Sequence, residues 1–76
     1  MAENMSEFTF EVVKKIKVLA AGAKKTKELN LVKWRSTMEP MYDIRKWEEG
    51  KPGKGISLSE EEARALYEAL GAELNT

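Results

Sequence analysis

The sequence predicts an α+β fold, in which a four-stranded, curved antiparallel sheet is followed by one C-terminal helix (β-β-β-β-α). Apolar and polar residues alternate along four segments before Ser59, as half-buried strands require. A capping signal and one helical apolar stripe then follow. The chain has only 76 residues. A domain this small buries about 60% of the surface of its unfolded chain and often gains stability by pairing, so we expect a homodimer.

The first strand is predicted from Phe8 to just before residue 20, because the even-numbered positions are mostly apolar. Val13 breaks this alternation, so a bulge is expected near residues 12–14. Residues 20–25 read as a hairpin loop, and the second strand is predicted from Lys27 to Arg35.

A turn at residues 36–40 leads to a third strand, predicted from Met41 to Trp47. Residues 48–55 contain three glycines and a proline, which is typical of a loop. A short fourth strand is then expected over residues 55–58.

The helix is predicted to begin after Ser59, whose hydroxyl can form a capping box with Glu62. Gly71 is a candidate C-terminal stop. The apolar stripe recurs at helical spacing and consists of Ala63, Leu66, Tyr67, Leu70 and Leu74.

The charge is zero overall, with 13 basic and 13 acidic residues, but it is segregated along the chain. Residues 14–54 carry twelve basic against five acidic side chains, while both ends are acidic. Such a basic middle is compatible with a surface that faces phosphates. From charge alone, lysines that keep strands soluble and protect sheet edges are the favoured interpretation.

Most enzyme classes are excluded by composition, because the chain has no histidine and no cysteine. Gly50 and Gly55 have the spacing of a phosphate-binding loop, but a strand rather than a helix follows them. The run Glu60–Glu62 is explained by helix capping. We therefore expect no enzyme activity, no cofactor and no metal. The polar, acidic start favours a cytoplasmic protein without a membrane partner, with residues 1–6 as a disordered lead-in.

Two tryptophans lie among cations, Trp34 between Lys33 and Arg35 and Trp47 after Arg45-Lys46. Strand alternation places Trp34 with Asn30 opposite Leu29 and Leu31, and places Arg45 with Trp47 opposite Tyr42 and Ile44. Exposed indoles beside cations are typical of proteins that hold single-stranded nucleic acid by base stacking. One alternative is that the tryptophans belong to a dimer interface or to a second hydrophobic layer. Another is an aromatic surface that docks a protein partner, as in an adaptor.

Residues 42–47 (Tyr-Asp-Ile-Arg-Lys-Trp) followed by residues 53–62 (Gly-Lys-Gly-Ile-Ser-Leu-Ser-Glu-Glu-Glu) resemble the C-terminal domain of the transcriptional coactivator family called positive cofactor four. Residues 27–34 are similar to its small bacterial, YdbC-like branch. The resemblance covers about half of the chain. It implies a homodimer in which the helices form the subunit junction and the sheets face single-stranded DNA.

The resemblance also implies the site. Arg45, Trp34 and Lys54 match family positions on the DNA-facing side, and Trp47 matches approximately because coactivator members have one more residue between the arginine and the tryptophan. Residues 7–76 then form one single-stranded-DNA-binding, coactivator-like domain. The expected partners are single-stranded DNA, RNA and a second copy of the chain, with no small-molecule substrate, in a nucleoid-associated protein that serves transcription or other DNA processes. The predicted nucleic-acid contacts are Lys14, Lys15, Lys17, Asn30, Lys33, Trp34, Arg35, Arg45, Lys46, Trp47 and Lys54, and the predicted dimer interface is Leu66, Tyr67, Leu70 and Leu74.

Overall fold

The computed structural model describes residues 10–75, so the predicted disordered lead-in of residues 1–6 lies outside the described part. One open sheet has the order β1-β2-β3-β4, with each neighbouring pair antiparallel, and a single helix follows it. This arrangement confirms the predicted α+β fold. The elements are β1 (Glu11–Ala21), β2 (Lys25–Lys33), β3 (Met41–Glu48), β4 (Lys51–Leu58) and α1 (Glu60–Leu74).

The β1–β2 hairpin is longer and tighter than predicted. β1 continues to Ala21 and β2 begins at Lys25, so the predicted loop over residues 20–25 is corrected to three residues. The expected bulge between Val12 and Lys14 is confirmed, and two further register shifts follow along β1. Each bulge bends the strand and strengthens its twist. β2 ends at Lys33, and Trp34 therefore follows the strand instead of lying within it.

The β3–β4 connection corrects the predicted loop over residues 48–55. A two-residue turn at Glu49 and Gly50 joins the strands, and both residues have positive φ, of 52° and 80°. Positive φ at both central residues is what a type I′ hairpin turn requires. Pro52 then lies in β4 opposite Trp47. Because β4 is an edge strand, its proline need not break the sheet.

Helix α1 begins as predicted. The Glu62 backbone N–H donates to Ser59 Oγ at 3.1 Å, and the Ser59 N–H donates to Glu62 Oε1 at 2.9 Å. The predicted stop at Gly71 is wrong, since the helix continues to Leu74. In the described part of the chain, α1 is the only helix, and it is too short and too polar to cross a membrane.

The helix covers little of the sheet. It contacts only the last two strands, and none of its described side chains is buried. Tyr67 is 77% exposed and Leu74 is 76% exposed. The apolar stripe of α1 is therefore open to solvent in a single copy of the chain.

The two faces of the sheet differ in burial. Residues opposite each other on neighbouring antiparallel strands share a face, and the pairs Thr26–Trp47, Glu28–Arg45 and Asn30–Asp43 define what we call the tryptophan face. The opposite face carries the apolar residues Leu29, Leu31, Tyr42, Ile44 and Ile56. The predicted alternation is thus confirmed. The most deeply buried side chains, however, are Val32, Asn30 and Asp43, which lie on the tryptophan face.

Gly55 allows β4 to approach Arg45, its partner on β3. A Cβ atom at this position would overlap the Arg45 Cβ atom and the Ile44 carbonyl oxygen. We expect Gly55→Ala to lower the free energy of unfolding by about 1–3 kcal/mol, as overpacking does elsewhere. Urea denaturation followed by circular dichroism measures the change.

Gly71→Ala is the matched control, because a Cβ atom there would have no neighbour within 4 Å. Alanine in a helix is favoured over glycine, so this variant should gain about 0.5–1 kcal/mol. Equal effects of the two substitutions would contradict the role given to Gly55.

Candidate nucleic-acid interface

Trp34 is held in one orientation by three neighbours. Its indole Nε1–H donates to Ser57 Oγ at 3.1 Å. The Arg45 guanidinium lies over the ring, 4.6 Å from the ring centroid, as in a cation–π contact. The Phe10 ring packs at a tilt with its centroid 5.5 Å away. Trp34 remains half-buried, so part of a fixed aromatic surface stays accessible.

A buried carboxylate organises these contacts. Asp43 has no solvent exposure, and its Oδ1 atom accepts from Arg45 Nε at 2.6 Å. Its Oδ2 atom accepts from Arg45 Nη2 and from Ser57 Oγ, both at 2.7 Å. Because Ser57 also accepts from Trp34, the four side chains form a closed network. We refer to Trp34, Asp43, Arg45 and Ser57 as the Asp43 network.

Sequence reasoning missed Asp43 and Ser57 as parts of the site. Asp43 lies two residues before Arg45 on the same strand, which places both on one face. That spacing is the signal that could have found the bidentate pair. Ser57 reaches the network through the β3–β4 register, where it lies opposite Asp43.

Arg45 was predicted to contact phosphate, but in the structure its guanidinium donates hydrogen bonds mainly to other groups of the protein. Besides its two bonds to Asp43, its Nη1 atom donates to the Gly53 carbonyl oxygen at 3.0 Å. A guanidinium has five N–H donors, and three of them are used here. Its side chain is 17% exposed, so only a small part of it can meet a ligand.

Trp47 is buried, with only 8% of its surface exposed, which corrects the expectation of an exposed indole. Phe10 packs against it edge-on, with the ring centroids 5.7 Å apart. The Trp47 indole Nε1–H is buried and has no hydrogen-bond partner among residues 10–75. Such an unpaired group is destabilising and rare in native structures.

A cavity of about 360 Å³ opens beside Trp47 and Phe10 on the tryptophan face. Glu28 lines it and is held by two neighbours on its own strand, since Oε2 accepts from Thr26 Oγ1 at 2.5 Å and Oε1 accepts from Asn30 Nδ2 at 3.2 Å. The Thr26 hydrogen bond, with help from Asn30 and the charge of Lys15, holds the pKa of Glu28 below its usual value. The carboxylate is therefore ionised at neutral pH.

Asn30 was predicted to contact nucleic acid, but its side chain is only 1% exposed. Its amide serves the structure by orienting Glu28. Glu28 was not predicted as a site residue, because an acidic residue within a basic segment is usually interpreted as a counter-charge to its neighbours.

The strand register divides the predicted cations of β1 between the two faces. Lys15 lies opposite Asn30 and so shares the tryptophan face, where it lines the large cavity with Lys24. Lys14 lies opposite Leu31, and Lys17 lies opposite Leu29, which places both on the other face.

The remaining predicted cations also lie at separate places on the sheet. Lys46 lies opposite Lys27 on the face away from the tryptophans. Lys54 and Lys46 line a second cavity, of about 240 Å³, that one edge of Trp47 also reaches. Lys33 and Arg35 flank Trp34 and line a small depression with Phe10. Within residues 10–75, no cluster of histidine, cysteine, aspartate or glutamate could hold a metal ion.

The predicted dimer residues form an accessible surface. Leu66 is half-buried, while Tyr67, Leu70 and Leu74 are exposed on α1. Nothing in the described part of the chain covers these three side chains.

A search of curated proteins finds no match to the chain. The family described as Transcriptional Coactivator p15 (PC4) matches residues 22–69, which include β2, β3, β4 and most of α1. That family is one of DNA-binding coactivators that bind single-stranded DNA. Because the match spans more than half of the sequence, the chain belongs to the transcriptional coactivator p15 family.

Proposed function

We propose that the chain is a non-enzymatic protein that binds single-stranded DNA as a homodimer, largely without regard to sequence, in support of transcription or other DNA processes. The observation that carries this proposal is the Asp43 network, which holds a half-buried Trp34 beneath a guanidinium. Membership of the p15 family supports the same ligand class.

Trp34 supplies the stacking surface. Its orientation is set by Ser57 and Arg45 before any ligand arrives, so little ordering is needed when a base stacks on it. A stacked base is typically worth about 1–3 kcal/mol, whichever base it is. Stacking of this kind explains binding without sequence readout.

Trp47 takes part only after a rearrangement. Because Phe10 covers the ring and only 8% of Trp47 is exposed, a base must displace Phe10 to stack there. Phe10 lies outside the matched family region, immediately before β1. We therefore give Trp34 the primary stacking role and Trp47 a second, conditional role.

The phosphate contacts are proposed to come from cations close to the indoles. Lys33 and Arg35 flank Trp34, and Lys15 and Lys24 line the cavity beside Trp47. These four side chains could follow a backbone that passes from one tryptophan to the other. Lys14 and Lys17 project from the opposite face and would reach only a strand that wraps around the sheet edge. Lys46 and Lys54 line a second cavity that Trp47 also lines, so they would reach a backbone that passes there.

Self-association is the proposed role of α1. Its apolar stripe exposes large side chains to water. Monomeric proteins rarely expose a contiguous apolar patch of this kind. The apolar face of the sheet adds Ile56, which is 55% exposed. A second copy of the chain would cover these surfaces.

Titration of labelled single-stranded DNA, duplex DNA and RNA, at two salt concentrations, tests the proposal. We expect single strands to bind more tightly than duplex, with log affinity falling linearly with log salt at a slope of about −0.7 per phosphate contacted. Tryptophan fluorescence should be quenched by oligo-dT. Absence of any binding at low salt and micromolar protein would reject the proposal and favour the adaptor interpretation.

A further inference from the structure

We propose that the cavity beside Trp47 recognises the edge of a nucleobase, with the Glu28 carboxylate accepting a hydrogen bond from an exocyclic amino group. This inference rests on the proposed function and adds to it. Stacking on Trp34 tolerates every base, whereas Glu28 would favour cytosine, adenine and guanine over thymine or uracil at one position.

The carboxylate is oriented before any ligand arrives. Thr26 donates to one of its oxygens at 2.5 Å and Asn30 donates to the other at 3.2 Å. Each carboxylate oxygen has two lone pairs, so both oxygens keep acceptor capacity. Asn30 is itself buried, which makes it a rigid support. Glu28 therefore has the anchoring expected of a group that positions a ligand.

The surroundings suit a base better than a phosphate. The cavity of about 360 Å³ lies within the usual range of ligand sites, about 300–1,000 Å³. Phe10, Val12 and Trp47 supply apolar and aromatic walls for a planar ring. A phosphate would be repelled by Glu28, while Lys15 and Lys24 line the same cavity and can hold the backbone beside it.

One residue that lines the cavity also carries an unpaired polar group. Trp47 is more than nine-tenths buried and lines the cavity, and its indole N–H has no acceptor in the described part of the chain. The Watson–Crick edge of every nucleobase carries an acceptor as well as a donor. A base bound in the cavity could therefore offer an acceptor to the indole N–H while its amino group donates to the carboxylate.

The chemistry of the donors gives the selectivity. Carboxylates accept hydrogen bonds from the 4-amino group of cytosine. In uracil a carbonyl oxygen replaces that amino group, and the only nearby donor, N3–H, is flanked by two oxygens that repel a carboxylate. Cytosine and uracil are otherwise alike in size and stacking, so they isolate the contribution of Glu28.

Binding of oligo-dC and oligo-dU of equal length, measured by fluorescence anisotropy, tests the inference. The protein should bind oligo-dC about tenfold more tightly, as one hydrogen bond to a charged acceptor allows. In Glu28→Gln the preference should disappear, because an amide can both donate and accept. Glu39→Gln is the matched control and should keep the preference, since Glu39 is exposed outside this cavity and its replacement changes the net charge equally.

Thr26→Val provides a second variant, since it removes the shorter of the two anchoring hydrogen bonds and keeps a β-branched residue in the strand. It should reduce the preference for oligo-dC in the same direction. Affinities for the two oligonucleotides within twofold of each other, or an unchanged preference in Glu28→Gln, would overturn the role of Glu28 and leave single-strand binding intact. Failure to bind either oligonucleotide would instead reject the proposed function, and this inference with it.

Discussion

Replacing Asp43 with alanine is expected to lower the free energy of unfolding by about 3 kcal/mol. Removing one partner of a buried ion pair leaves the other charge uncompensated, at a typical cost of about 3–5 kcal/mol. The lower end applies here because the Arg45 side chain keeps 17% exposure. Ser57 would also lose its acceptor, and Trp34 would lose the support that Ser57 provides. Urea denaturation followed by circular dichroism measures the loss.

Glu60→Gln is the control for Asp43→Ala. It breaks the ion pair between Arg64 and Glu60, where both side chains are mostly exposed, at 66% and 73%. An exposed pair at this helical spacing is worth about 0.3–0.5 kcal/mol. If Asp43→Ala were no more damaging than this control, the Asp43 network would not be a determinant of stability.

Replacing Trp34 with leucine is expected to weaken single-stranded DNA binding by about 10- to 100-fold. One stacked base contributes about 1–3 kcal/mol, and each 1.4 kcal/mol is a factor of ten in affinity. Leucine keeps apolar contact with Phe10 but offers no π-face to a base. Anisotropy titrations at a fixed salt concentration measure the loss.

Two comparisons separate stacking from charge and from stability. Trp34→Phe should recover most of the affinity, because it keeps an aromatic face and loses only the hydrogen bond to Ser57. Trp34→Leu should keep the salt dependence of the original protein, since no cation is removed. A changed salt slope, or full affinity in the leucine variant, would show that Trp34 does not act by stacking.

The fold was predictable wherever its signals are local. Strand alternation and the capping box at Ser59 are determined by short stretches of sequence, and the structure confirms them. The loop expected before Gly55 was wrong because Pro52 and the glycines have loop chemistry in isolation. Their actual roles depend on position in the sheet, with Pro52 on an edge strand and Gly55 against Arg45.

The candidate site was predictable only in part. Alternation correctly placed Arg45 and Trp47 on one face, but it could not show that Phe10 packs across both indoles. The burial of Asp43 likewise depends on Ser57, which is distant in sequence and arrives through strand pairing. Contacts of this kind are set by the sheet register, which cannot be predicted from the sequence of each strand alone.

The uncovered stripe of α1 has a consequence for how the protein behaves on dilution. An isolated segment of 15 residues is barely helical in water, and most helices in proteins are stabilised by what packs against them. If a second copy provides that packing, mass action applies and the helical content depends on protein concentration. The amount of ordered protein would then rise more steeply than the amount synthesised.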